Sequence, residues 1–375
     1  MKKYLAAVVL LLSMALMLSG CFPSGEKDPN LSSLTKLTDN RLFEHNANNL
    51  TVSFEIPEIP SNLPMRIRLK GKHFDTEEMI ELFFDGKIID DEQTWSGNYY
   101  TYDGSRLYVS TDYSSLSFND GETAHGHNYQ VDGPVNYQVA FFVDEKFYKN
   151  TYFSGGNELE NFPLQNALDR VLKLTSTLGI TDLGEPEIYA VSLDTYAKLK
   201  VDYTSFFNEE YPLTTYSEMY ILHFPQVFDG IELADLKEVS VNDYTLDDGK
   251  SMVWSPRVTV GVAKDRIFYF DVSEPFEAEY EVVNSQPAKY DLNYVLSELI
   301  SYLDKTYFSK ETVINNVKAV YYPVERRGNE YVEYSLAWSF EGYVNEGKLF
   351  NIFDNIHNYK VIVSAENGVR TTCSG

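Results

Sequence analysis

Hydrophobic and polar positions alternate along this chain with two periods, and the places where the period changes mark its elements. Leu50–Ile59 alternates with period two, Val52, Phe54 and Ile56 against Ser53, Glu55 and Pro57, which is the pattern of a half-buried strand. Pro57, Pro60 and Pro64 make it an edge strand or an extended exit. Arg66–Lys70 reads as a second short strand. At Asp75-Thr76-Glu77-Glu78 the period lengthens. Asp75 supplies an N-cap and Glu78 the third helical position, Met79, Ile80, Leu82 and Phe83 follow, and Gly86 stops the helix. Tyr99–Tyr102 and Leu107–Thr111 flank Asp103-Gly104 as a hairpin, and Val135–Val143 with Lys146–Phe153 form another around Asp144-Glu145.

A second region opens with a helix. Pro163 stands at its start, Leu164, Leu168, Val171, Leu172 and Leu178 recur at helical spacing, and Gly179 ends it. Strands are expected at Glu187–Val191, Glu218–Phe224, Arg257–Ala263 and Arg266–Val272. The same order then returns, with a helix over Leu292–Leu303 and strands at Asn316–Val324, Tyr331–Glu341 and Tyr359–Ala365 before a final strand after Glu366-Asn367-Gly368. Tyr334, Leu336, Trp338 and Phe340 face one way and Ser335, Ala337 and Ser339 the other, so one face should pack on a helix. The expected fold is α+β, with antiparallel sheets each packed against a helix. It has two modules, the second carrying a duplicated helix-then-sheet unit.

The first 21 residues have a different pattern. Lys2 and Lys3 precede an apolar run from Leu5 to Leu18, and Leu18-Ser19-Gly20-Cys21 closes it with small residues and a cysteine. These are the parts of a secretory signal. The run is short for a hydrocarbon core of about 30 Å, and no basic residues follow to hold it there. The closing tetrapeptide resembles the lipobox of bacterial lipoproteins. That resemblance implies diacylglyceryl transfer to the Cys21 thiol and cleavage that leaves Cys21 as the new N-terminus, with two acyl chains sufficient for stable anchoring. The expected layout is residues 1–20 as signal peptide, 21–49 as a polar tether, 50–156 as an N-terminal module, and 157–375 as a C-terminal region with halves 157–285 and 286–375.

Charge narrows the choice of partner. The 375 residues carry 31 basic and 56 acidic side chains, a net charge of −25, and loss of residues 1–20 with two lysines takes this to −27. Such a surface repels nucleic acid and anionic polymers. Only two cysteines are present. With Cys21 consumed by lipid, Cys373 has no partner in the chain and reads as a surface thiol near the terminus. The 29 tyrosines and 23 phenylalanines suggest pleated, half-buried strands before they suggest a ligand platform.

Candidate chemistry is sparse. His125-Gly126-His127 would put two imidazoles on one side of a strand, the spacing that suits zinc or copper, but no further ligand is specified and the neighbouring Asp120-Gly121 and Asp132-Gly133 favour a polar loop. Asp243, Asp247 and Asp248 before Gly249 lack the order and distal glutamate of a calcium loop. His223 lies in an apolar strand, where a satisfied core histidine is expected. Acid pairs such as Asp90-Asp91 and Glu209-Glu210 carry no information in so acidic a chain. Neither G-x-S-x-G, H-E-x-x-H, a P-loop nor G-x-G-x-x-G is present. No catalytic residue, cofactor or metal site is therefore expected beyond His125 and His127 as weak candidates.

The C-terminal motifs carry a family resemblance. Ile221 to Ile231 (I-L-H-F-P-Q-V-F-D-G-I), Tyr321-Tyr322-Pro323-Val324 with Leu336-Ala337-Trp338-Ser339-Phe340, and Val363-Ser364-Ala365-Glu366-Asn367-Gly368 look like the strand and turn motifs of PepSY-like and YycH/YycI-type domains. The whole chain also resembles lipoproteins of Gram-positive bacteria whose function is uncharacterised. The resemblance implies a lipid-anchored extracytoplasmic module that is not an enzyme and that binds or regulates an envelope protein, such as a sensor kinase or a protease. The alternatives are a saccharide-binding lipoprotein using Trp95 near Tyr99, Tyr100 and Tyr102, and then a hydrolase.

Overall fold

The computed structural model of the chain describes residues 42–57, 63–94, 97–110, 115–120, 158–192, 194, 218–234, 256–287, 292–327, 330–349, 353–365 and 370–374. Three strands come first: β1 (Leu42–Ala47), β2 (Leu50–Glu55) and β3 (Pro64–Gly71). Helix α1 (Thr76–Phe84) precedes β4 (Asp90–Gln93), β5 (Gly97–Tyr102), β6 (Ser105–Ser110) and β7 (Ser115–Asn119). Helix α2 (Leu164–Thr177) precedes β8 (Glu187–Val191), β9 (Met219–Pro225), the small hairpin β10 (Val227–Phe228) and β11 (Ile231–Leu233), and then β12 (Arg257–Ala263), β13 (Ile267–Ser273) and β14 (Phe276–Pro287). Helix α3 (Leu292–Leu303) leads into β15 (Glu311–Arg327), β16 (Tyr331–Leu349), β17 (Phe353–Ser364) and β18 (Arg370–Ser374).

Local chemistry sets the helix ends as expected. The Glu78 amide donates to the Asp75 side chain at 3.0 Å, and Asp85 and Gly86 close α1 with φ of 50° and 71°. In α2, Ala167, Val171 and Thr175 repeat every fourth residue on the buried side, and Gly179 ends it at φ 68°. The Asp103-Gly104 turn has both residues at positive φ, 49° and 79°, the twist that a two-residue hairpin needs.

The described strands form two sheets. The eight-stranded sheet runs β4-β5-β6-β7-β13-β12-β9-β8 and is antiparallel throughout. The ten-stranded sheet is built on the β15–β16 ribbon, paired from Glu311↔Asn345 to Arg327↔Tyr331. Each end of this ribbon has its own flanking strands. At one end β2 pairs with β15 in parallel, β17 lies along β16, and β18 lies beyond β17. At the other, β11 pairs with β15 in parallel, β3 lies along β16, and β14 lies beyond β3. The fold is α+β.

Three runs of chain share one order. α1 precedes β4 to β7, α2 precedes β8, β9, β12 and β13, and α3 precedes β15 to β18, each set hydrogen-bonded in chain order. α1 lies against β6, α2 against β12 and α3 against β17, the third strand of each set. The first two sets meet edge to edge through β7 and β13.

Two apolar cores follow from this. One holds Val295, Leu296, Leu299 and Leu303 of α3 against Tyr334, Leu336, Trp338 and Phe340, with Val52, Phe54, Ile67, Leu69, Val361 and Val363 around them. The other holds α1 and α2 against Leu107, Leu116, Leu222, Val260 and Phe270. Each fully buried side chain of this kind contributes about 1.5–3 kcal/mol from area alone.

The structure departs from the sequence pattern in four places. Residues 42–47, read as part of the tether, form β1, because Phe43 turns inward and stacks on Phe54 at 5.1 Å. The β1–β2 turn is also fastened from outside: the Thr312 amide donates to Asn49 O at 2.7 Å, and Asn49 Nδ2 donates to Phe308 O at 3.0 Å. Second, β2 pairs with β15 and β3 with β14 and β16, so strands from either side of residues 156/157 share one sheet. Third, Ser335, Ala337 and Ser339 are as buried as the apolar face of β16, so both faces of that strand are covered. Fourth, β4, β7 and β14 form where the sequence pattern places no strand. The hairpin at 135–153 lies outside the described residues.

Gly342 faces a β-bulge between Ile314 and Asn316, where an added Cβ would stand 1.7 Å from the Val313 carbonyl oxygen. Backbone cannot yield as a side-chain tip can. Gly342→Ala should therefore lower stability in urea unfolding by about 1–3 kcal/mol or more, and an unchanged midpoint would contradict this packing of the ribbon.

Candidate functional site

Alternation on β3 sends Met65, Ile67 and Leu69 into the α3 core and Arg66, Arg68 and Lys70 to the opposite face. There they meet acids from the strands on both sides. Glu333 on β16, only 2% exposed, takes Arg66 Nη1 at 3.0 Å and Arg68 Nη2 at 3.4 Å. Arg68 also pairs with Glu281 on β14, and Lys70 with Glu277 at 2.9 Å. Opposite charges on neighbouring strands stabilise the pairing and fix its register.

A second cluster lies on the same face toward the other end of the ribbon. Lys318 on β15 pairs with Glu232 on β11 and stands 3.5 Å from Glu341 on β16, which also accepts from Ser339 at 2.9 Å and lies 3.7 Å from Lys360 on β17. Burial pulls the Lys318 ammonium toward neutrality, but Glu341 and Glu232 outweigh it, and its pKa is raised above the usual 10.5. These charges are engaged with one another. The arrangement joins strands and offers no free nucleophile or general base.

The α3 side of the same sheet ends in a different surface. The hairpin β10–β11, turned at Asp229 (φ 50°) and Gly230 (φ 78°), joins the sheet where β11 pairs with β15. Phe228 contacts Tyr321 on β15 at 5.6 Å between ring centroids and Tyr280 on β14 at 4.7 Å. β15 and β14 are not neighbours in the sheet, so Phe228 touches side chains that lean toward it from two separate strands. Tyr321 is buried and donates its hydroxyl to Pro64 O at 2.8 Å. Tyr280 is 56% exposed, and Val282 and Val283 beside it are 41% and 37% exposed. The outer edge of β14 has no partner strand among the described residues. The alternation Phe276-Glu277-Ala278-Glu279-Tyr280-Glu281-Val282 is the signal that would have marked this strand from sequence.

Most residues singled out from sequence do not meet at a site. Cys21, Trp95, His125, His127, Glu209, Glu210, Asp243, Asp247 and Asp248 lie outside the described residues. Among the described residues no group of three or more His, Cys, Asp or Glu is placed to hold a metal, and no helix is long and apolar enough to cross a membrane. His223 is buried in β9 with Nδ1 2.8 Å from Thr259 Oγ1 and its ring edge-on to Tyr189. Cys373 sits in β18 opposite Lys360. Tyr100 is buried in the α1 and α2 core, while Tyr99 lies on the other face of β5, stacked beneath Arg106 at 3.8 Å. Asp90 and Asp91 lie exposed on the edge strand β4, where charge discourages pairing with another chain.

Two predictions follow from the charge clusters. Glu333→Ala removes the buried carboxylate that Arg66 and Arg68 share, while Arg68 keeps Glu281, and should cost about 1.5–3 kcal/mol in urea unfolding; a loss no larger than that of an exposed pair would refute the buried role. Lys318 contributes stability that is fully present below the unfolded-chain value near 10.5 and is lost as pH rises through its higher folded value. The Tyr220 and Tyr359 phenols, pushed up by burial from 10.0, act in the same direction. Stability should thus fall in alkali, and Lys318→Met should fall less steeply; parallel curves would contradict the pairing.

No family model matches the chain, and no curated protein matches it. Among solved structures, the crystal structure of an uncharacterized protein from Eubacterium rectale is similar over 88% of this chain and 93% of its own, with a TM-score of 0.55 and 12% sequence identity, a likeness of fold.

Proposed function

We propose that this chain is an exported, lipid-anchored module that works on the outer face of the membrane by binding an envelope protein or peptide, without catalysis of its own. The observation that carries the reading is Leu18-Ser19-Gly20-Cys21 closing the apolar run that begins after Lys2 and Lys3. The charge of the chain, −25, supports a protein partner over nucleic acid or an anionic polymer. The resemblance of the C-terminal motifs to PepSY-like and YycH/YycI-type domains points the same way, toward a regulator of a sensor kinase or protease. The recurring order of a helix and four strands, with the helix on the third strand, we read as one unit used three times.

Cys21→Ala should remove palmitate labelling and move the protein from the membrane fraction to the soluble one, while the wild-type protein stays with the membrane. A variant that remains labelled and sedimenting would refute the anchor. Crosslinking on intact cells should recover a stoichiometric envelope protein, and a blank under every growth condition would count against the binding role.

A further inference from the structure

We infer that the outer edge of β14 takes one added strand, an extended segment of a partner protein in which apolar and basic residues alternate. This rests on the binding role proposed above and gives it a location. β14 is hydrogen-bonded to β3 on one side and to no described strand on the other. An extended peptide added there would gain main-chain hydrogen bonds in the manner of strand addition, with specificity set by alternate side chains.

The two faces of β14 make different demands. On the α3 side, Tyr280 and Val282 project beside buried Leu69 and Ile67, and Phe228 packs edge-on against Tyr280. That is an apolar step, open at the edge. On the other side lie Glu277 and Glu281, the latter 64% exposed although paired with Arg68. An added strand would set its side chains directly opposite these, and opposite charges across such a pair stabilise it while like charges do the reverse. Valine, leucine or an aromatic residue therefore suits one face of the guest, and lysine or arginine the other.

The same argument disfavours a second copy of this chain, whose own β14 would bring Glu277 and Glu281 against Glu277 and Glu281. It also bounds the length. Register shifts between Phe276 and Tyr280 and between Val282 and Asn284 bend the strand on either side of the regular stretch Tyr280-Glu281-Val282. A bulged edge of this kind resists open-ended pairing and admits a short segment.

The full chain in detergent is titrated with a labelled peptide of about six residues alternating Val and Lys, with its Val and Glu counterpart and with the Tyr280→Ser/Val282→Ser variant as controls. Both replaced side chains are exposed, and the variant loses the ring contact of Tyr280 with Phe228, so it should unfold cooperatively with a midpoint lowered by no more than about 0.5–1.5 kcal/mol of stability. The basic peptide should bind, slow hydrogen exchange at residues 280–283, and bind roughly tenfold or more weakly to the variant; the acidic peptide should not bind. Equal binding of both peptides, equal binding to the variant, or no binding up to about 1 mM would overturn the proposal. So would a concentration-dependent dimer that protects the same amides. If cells yield a crosslinked partner that the double variant still captures, the binding role stands and this location fails; if no partner is captured by either chain, the role itself fails.

Discussion

The hydrogen-bonded ladder between β15 and β16 is the constraint on which the rest of the structure depends. It runs the length of both strands, interrupted by two bulges, and every other strand of the larger sheet reaches the fold by pairing with it directly or through one neighbour. Its side chains are buried on both faces through the middle of β16, with Trp338 and Phe340 toward α3 and Ala337 and Ser339 on the reverse. A strand covered on both sides cannot slip by one residue without putting apolar groups where the charge clusters stand and charges in the core. The cross-strand pairs of Glu333 and Lys318 belong to the same logic, since the first ties the ribbon to β3 and the second ties it to β11.

What was legible in the sequence was whatever depends on near neighbours. The Asp75 cap, the Gly179 stop, the Asp103-Gly104 turn and the inward row Tyr334, Leu336, Trp338 and Phe340 are local matters of backbone freedom and face, and the structure has them where the pattern put them. Pairing between distant segments was not legible. Period two tells which way Val52 or Ile67 points and says nothing of which strand it adjoins, so the joining of residues 42–71 to strands near the C-terminus had no local signal. β1 was hidden for a related reason: only Phe43 of its six residues is buried, too few to establish a period. β14 has a readable alternation, Phe276, Ala278, Tyr280 and Val282 against Glu277, Glu279 and Glu281, between β13 and α3. At the site, acids and bases were visible as composition, but their mutual neutralisation depends on cross-strand register.

These features give the chain's acidity a physical meaning. On the larger sheet Arg66, Arg68 and Lys318 are matched by acids, and on the other sheet the edge Asp90–Gln93 presents carboxylates to solvent. Exposed carboxylates keep strange strands away. β14 combines such carboxylates with exposed Tyr280 and Val282.

The central claim, that residues from opposite ends of the chain form one cooperative sheet on the β15–β16 ribbon, is tested most directly by native-state hydrogen exchange across a series of urea concentrations. The account predicts that amides of Ile67 and Leu69 on β3 open together with those of Tyr334 and Leu336 on β16, at the free energy and with the urea dependence of global unfolding. Exchange of residues 64–71 through a separate, lower-energy opening that leaves residues 331–340 protected would contradict it.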